Sequence, residues 1–105
     1  MEGIRIYAEV EDLKDFESYT SRRAVVVFSA PSWCVPCKRL HPHILKLADK
    51  LDIPVIDVDV DKATELKYAY DVMSVPTVYE FVEGKPVREL KGRTVLALER
   101  ELAAE

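Results

Sequence analysis

The sequence predicts an α/β domain, a central mixed β-sheet flanked by helices on both faces, in the order βαβαβαββα. Three observations carry this prediction. Apolar runs of strand length alternate with segments of helical period through the first seventy or so residues. The last two strands are joined by a turn, Gly84-Lys85-Pro86, instead of a helix. Ala24 to Ala30 is apolar on both faces, as a central strand covered from either side should be. Parallel pairing is expected at first and antiparallel pairing at the end. At 105 residues the chain is expected to be one domain, 1–105, since domains commonly run to about 100–150 residues.

The elements follow in order. Ile4, Ile6 and Ala8 alternate with Arg5 and Tyr7 in a short first strand, and Glu11 to Ser21 puts Leu13, Phe16 and Tyr19 or Thr20 on one helical face. Pro31-Ser32 ends the second strand. From about Cys34 to Leu51, Leu40, Ile44, Leu45, Leu47, Ala48 and Leu51 recur at helical spacing, with Pro42 inside the pattern predicting a kink. Ile53 to Val60 is a strand in which Asp57, Asp59 and Asp61 alternate with Ile56, Val58 and Val60. Ala63 to Val72 is a helix, Met73 to Pro76 a loop, Thr77 to Glu83 a strand and Val87 to Lys91 its hairpin partner, closed by Gly92. Arg93 to Ala104 carries Val95, Leu96, Leu98 and Leu102 as the stripe of a last helix.

Composition excludes several functions. The net charge is 15 − 19 = −4 and the basic residues are scattered from Arg5 to Arg100, so no electrostatic footprint for nucleic acid exists. No apolar run approaches the 18 or so residues of a membrane span. The amino terminus shows neither a basic n-region nor an apolar h-region, which makes the cytoplasm the expected compartment. The chain contains no Asn or Gln and is 32% charged, biases expected of a protein from a thermophile.

Trp33-Cys34-Val35-Pro36-Cys37 places two thiols three residues apart at a strand-to-helix junction. The first faces unpaired backbone N–H groups and the positive end of the helix dipole, which favours a thiolate below the usual cysteine pKa of about 8.5. Cys34 is the expected nucleophile. One turn along, Cys37 is placed to attack a mixed disulfide on Cys34, and it is the expected resolving thiol.

In these features the chain resembles the thioredoxin family over nearly its whole length. The anchors, in order, are Trp33-Cys34-x-Pro36-Cys37-Lys38, the helix proline Pro42, the strand Val58-Asp59-Val60-Asp61, Val75-Pro76-Thr77, Gly84 in the hairpin turn, and Gly92. The resemblance implies a thioredoxin fold and a protein-disulfide reductase that needs no cofactor beyond its cysteine pair. It also implies a monomer that accepts electrons from a thioredoxin reductase-type donor and acts on disulfide-containing proteins. Pro76 is then expected to be cis and to present the Val75 backbone to an extended substrate segment, as in strand addition. Trp33, Val35, Pro36 and Gly92 complete the expected substrate-binding rim.

Two departures from the family pattern matter. Val35 replaces the usual glycine and puts a stiff β-branched side chain on the rim. The family also carries a buried Asp beneath the cysteines, and counting six residues back from Cys34 gives Phe28. Asp57, where the family commonly has lysine, is expected to supply the missing carboxylate beside Phe28 and to take the Cys37 proton. Asp59 and Asp61, near the strand end, are expected to be solvated.

Other readings of these residues compete. Cys34, Cys37 and His41 have spacing for three zinc ligands, but a structural site takes four and no second cysteine pair exists. His41 and His43 are expected to be solvated helix residues. A glutaredoxin-like protein is the runner-up enzyme, although its Cys-Pro-Tyr/Phe-Cys pattern is absent. A redox-insensitive binding module is the alternative from another class, against which stand both cysteines and the Pro76 element.

Overall fold

A computed structural model describes residues 6–104. Five strands and four helices alternate as expected: β1 (Tyr7–Glu9), α1 (Leu13–Tyr19), β2 (Arg23–Ser29), α2 (Val35–Lys50), β3 (Val55–Asp59), α3 (Thr64–Ala69), β4 (Thr77–Val82), β5 (Lys85–Leu90) and α4 (Val95–Ala103). Ile4, assigned to the first strand from sequence, lies outside the described residues. The strands form one sheet in the order β1-β3-β2-β4-β5. β3 pairs parallel with both β1 and β2, while β4 pairs antiparallel with β2 and β5. The central position of β2 explains its sequence: every residue from Ala24 to Ser29 is buried, so β-branched and aromatic side chains cover both faces.

Alternation along the strands divides the core into two layers. On one face Phe16 of α1 and Leu66 of α3 meet Val26, Phe28, Ile56, Val58 and Phe81. Aromatic contacts concentrate there, with ring centroids 5.4 Å apart for Phe16 and Phe81 and 5.1 Å for Phe16 and Tyr70. On the other face Leu40, Ile44 and Leu47 of α2 and Leu98 and Leu102 of α4 cover Val25, Val27, Val55, Val78 and Leu90. Helices therefore cover both faces.

Two local features differ from expectation. The hairpin turn is Glu83-Gly84, not Gly84-Lys85-Pro86, because Val82 already pairs with Lys85. Both turn residues have positive φ, 53° and 80°, as a two-residue hairpin loop matched to strand twist requires. Pro86 consequently lies within β5, which tolerates it as an edge strand, and the ladder is irregular there, between Glu80 and Phe81. Pro42 lies inside α2, which continues through it to Lys50.

Candidate active site around the Cys34–Cys37 disulfide

β2 delivers the chain to α2 through a tight turn in which the Trp33 and Cys34 N–H groups both donate to the Ala30 carbonyl, at 3.2 and 2.9 Å. Cys34 is the extended N-cap of α2, and its Sγ accepts the Cys37 backbone N–H at 3.2 Å. A sulfur thus occupies the position that a Ser, Thr or Asp oxygen usually fills, at the positive end of a sixteen-residue helix. Pro36 in the first turn removes an N–H that would have no helical partner. Cys34 and Cys37 form a disulfide, with Cα atoms 5.2 Å apart.

The two cysteines are equally covered, each 4% exposed, so exposure does not distinguish them. What each sulfur faces does. Cys34 Sγ lies 3.8 Å from the carbonyl oxygen of Val75, the residue before Pro76, and the Val75-Pro76 peptide bond is cis. Cys37 instead lines a solvent-open cavity of about 320 Å³ shared with Val27, Ser29, Leu40, His41 and Asp57.

Around the disulfide, Trp33 and Val35 are exposed apolar side chains. The Trp33 indole Nε1–H donates to Asp61 Oδ2 at 2.9 Å, which fixes the ring, and Ser32 Oγ donates to the same oxygen at 3.4 Å. Asp61 is therefore exposed but engaged. Met73, two residues before Val75 and 85% exposed, adds an apolar side chain to this surface that the sequence reading passed over. Pro36 and Pro76 flank a small cleft of about 190 Å³ with Arg39 and Arg93, and Arg93 Nη2 donates to the Pro76 carbonyl at 3.4 Å. Gly92 stands beside Arg93, its N–H donating to Glu101 Oε1 at 2.5 Å, and is packed against Ala97.

Asp57 is in register with Val27 of β2 and Glu9 of β1, not beside Phe28 as the six-residue count implied. Phe28 pairs with Val58 and belongs to the opposite layer. A one-residue error along a strand moves the side chain to the other face. The expected role for Asp57 needs the α2 face, and Asp57 does face α2. Its side chain is 14% exposed and accepts the Ser29 hydroxyl on Oδ1 at 2.9 Å and the Tyr7 hydroxyl on Oδ2 at 3.0 Å. His41 Nδ1 lies 3.5 Å from Oδ2. Burial, then the Asp57 charge and its hydrogen bond, push the Tyr7 phenol far above its ordinary value.

Sequence reasoning missed Tyr7, Ser29 and His41 as partners of this carboxylate. Ser29 was detectable as the hydroxyl residue near the end of an otherwise apolar central strand. The histidines are not merely solvated: both are half-buried, and His43 Nδ1 accepts the Val95 N–H at the start of α4, at 3.1 Å. Among the described residues no group of three or more His, Cys, Asp or Glu side chains is arranged to hold a metal ion, and no helix is long and apolar enough to cross a membrane.

Comparison with known proteins agrees with this geometry. The Thioredoxin family matches residues 8–104. A thioredoxin of Gallus gallus is 36% identical over 94 residues, covering 86% of this chain and 90% of the relative. One from Mycoplasmoides gallisepticum is 41% identical over 86 residues, with 81% of each covered. The solved structure of a mutant thioredoxin from Halobacterium salinarum superposes with a TM-score of 0.83 at 30% identity, covering 97% of this chain and 91% of that one. A cysteine pair capping α2, a cis proline against its first sulfur and a fold shared over almost the whole length place the chain in the thioredoxin family of protein thiol-disulfide oxidoreductases.

Proposed function

We propose that Cys34 is the attacking thiolate of this protein-disulfide reductase, Cys37 the resolving thiol and Asp57 the acceptor of the Cys37 proton. The observation that carries the division of labour is the cap: the Cys34 sulfur accepts the Cys37 N–H at the helix N-terminus, so negative charge is stabilised on Cys34. Cys37 shares its cavity with a carboxylate instead.

In the reduced protein the Cys34 thiolate attacks one sulfur of a substrate disulfide, forming a mixed disulfide and expelling the first substrate thiolate. Cys37 then passes its proton to Asp57, directly or through one water, and attacks Cys34 Sγ. The second substrate thiolate leaves, and Cys34 and Cys37 are joined. The substrate has gained two electrons and the protein has lost them. A substrate segment in extended conformation pairs with the Val75 backbone, between the exposed Trp33 and Val35 side chains and the Pro36 and Pro76 rings, with Gly92 at the far rim. A reductase docking on the same rim returns the electrons, and the cysteine pair is the only redox group this exchange uses. We place this cycle in a monomer, one domain spanning the chain, working in the cytoplasm, where the thiol pool keeps such pairs reduced.

The test is trapping. Cys37→Ser should accumulate a covalent mixed disulfide with substrate proteins and Cys34→Ser should form none; the reverse pattern would exchange the two roles.

A further inference from the structure

The carboxylate beneath Cys37 can accept a proton only while it is ionised, and three side chains among the described residues stand against it. The Ser29 and Tyr7 hydroxyls donate to its two oxygens. Both are neutral donors, so they hold the carboxylate in place with a strength that pH does not alter. The third is His41, with Nδ1 3.5 Å from Oδ2 and a side chain 42% exposed to solvent. Its ring meets Tyr7 edge-on, centroids 6.0 Å apart, over the cavity that Cys37 and Asp57 share. Imidazole is the side chain that ordinarily gains or loses its charge near neutral pH. Other charges line the same cavity: Glu9 of β1 and Glu11 after it, Lys38 of α2, Asp59 of β3 and Lys62 beyond β3. None of these makes a hydrogen bond or ion pair with the Asp57 carboxylate among the described residues.

We infer that His41 is a positioning residue for the resolving step: its imidazolium, 3.5 Å from Asp57, keeps that carboxylate ionised and ready for the Cys37 proton on the acid side of neutrality. The inference rests on Asp57 as the proton acceptor. An opposite charge at this distance favours the ionised acid. A half-exposed pair of this length adds little to stability, so its effect belongs to the pH dependence of the reaction and not to the fold.

The experiment measures single-turnover resolution of a mixed disulfide on Cys34 across about pH 5 to 8.5, the range that spans imidazole titration. His41→Gln keeps a polar side chain without the charge, and His41→Lys keeps a positive charge. Glutamine is expected to move the acid limb of the rate profile to higher pH, slowing resolution about threefold near pH 5.5 and leaving it unchanged near pH 8. Lysine is expected to return the limb to the wild-type position or below it. Initial attack by Cys34 and the melting temperature should not change in either variant. An unshifted limb in His41→Gln overturns the inference, and so does a lysine variant that behaves like glutamine, which would mark a role of shape and not of charge. Asp57→Asn separates the two levels. If it is slow while His41→Gln is unshifted, the histidine inference alone fails; if it resolves at the wild-type rate, the acceptor assignment and the inference fall together.

Discussion

Cys34 and Cys37 are equally buried, at 4% exposure each, so their reactivities part on electrostatics. The N–H donated to the Cys34 sulfur and the helix end it caps favour its thiolate, whereas Cys37 has no such donor among the described residues. With the disulfide reduced, a small alkylating agent at pH 7 is expected to modify Cys34 first, with Cys37 lagging. Mass spectrometry of the singly modified protein decides this, and predominant labelling of Cys37 would reverse the proposed roles. Asp57→Asn preserves shape and removes the base, leaving one oxygen to accept a hydroxyl where the carboxylate accepted both Tyr7 and Ser29. Since general acid–base catalysis contributes about 10²–10⁴-fold where it operates, resolution is expected to slow by at least tenfold, with alkylation of Cys34 unaffected. Wild-type resolution between about pH 6 and 8, across the neutral thiolate transition, would remove Asp57 from the mechanism.

At the scale of elements, the loop from β5 to α4 is held by one carboxylate. Glu101 of α4 accepts the Lys91 and Gly92 N–H groups on its two oxygens. A Cβ on residue 92 would stand 2.8 Å from Glu101 Oε1 and 2.9 Å from the Ala97 Cβ, and neither neighbour can retreat without losing a cap bond or shifting the helix. Gly92→Ala is therefore expected to destabilise the protein by about 1–3 kcal/mol, the usual range for overpacking. A lower denaturant midpoint at unchanged slope would show it; an unchanged midpoint would mean that the loop relaxes freely. The start of α4 is capped twice, by Thr94 Oγ1 on Ala97 N–H and by His43 on Val95 N–H, which ties α4 to α2 on the sheet face that both helices cover.

Across the whole molecule, one buried acid joins the sheet to its last helix. Glu80 of β4 accepts Arg23 Nε and Arg88 Nε, each at 2.6 Å, and Arg23 also donates to the Leu102 carbonyl at the end of α4. Burial alone would raise the Glu80 pKa, but the hydrogen bonds and charges of the two arginines outweigh it and hold it below the ordinary value of 4.5. A carboxyl that titrates lower in the folded than in the unfolded state stabilises the fold fully above about pH 4.5 and loses that contribution as pH falls through the folded value. Because both arginines are partly exposed, Glu80→Gln is expected to cost about 1–3 kcal/mol at pH 7, less than a fully buried pair would. The difference should shrink in acid, and denaturation at pH 7 and pH 3 compares the two; an equal difference at both would show that the carboxylate charge is not what matters. The cysteine pair has a whole-protein property as well, its reduction potential. It is expected to be more negative than about −200 mV, where established values for thioredoxin-type reductants lie, and equilibration with a dithiol ladder measures it. A value near −120 mV would identify an oxidant.

Periodicity and composition determined the order of the elements, the mixed sheet, the burial of Ala24 to Ser29 on both faces and the junction that presents Cys34. All of these depend on residues near one another in the chain, where side-chain spacing maps directly onto local backbone geometry. Tertiary structure decided the rest. Asp57 could be singled out as an acid among apolar neighbours, but its partners Tyr7 and Ser29 stand 50 and 28 residues away and meet it only through the register of β1, β3 and β2. The same register put Val27, and not Phe28, beside it, because strand faces alternate with every residue and a count along the chain carries no information about pairing. His41 and His43 show the same division: both sit on one helix, yet one turned toward a carboxylate on β3 and the other toward an amide of α4, a choice made by what packs against α2 and not by the helix itself.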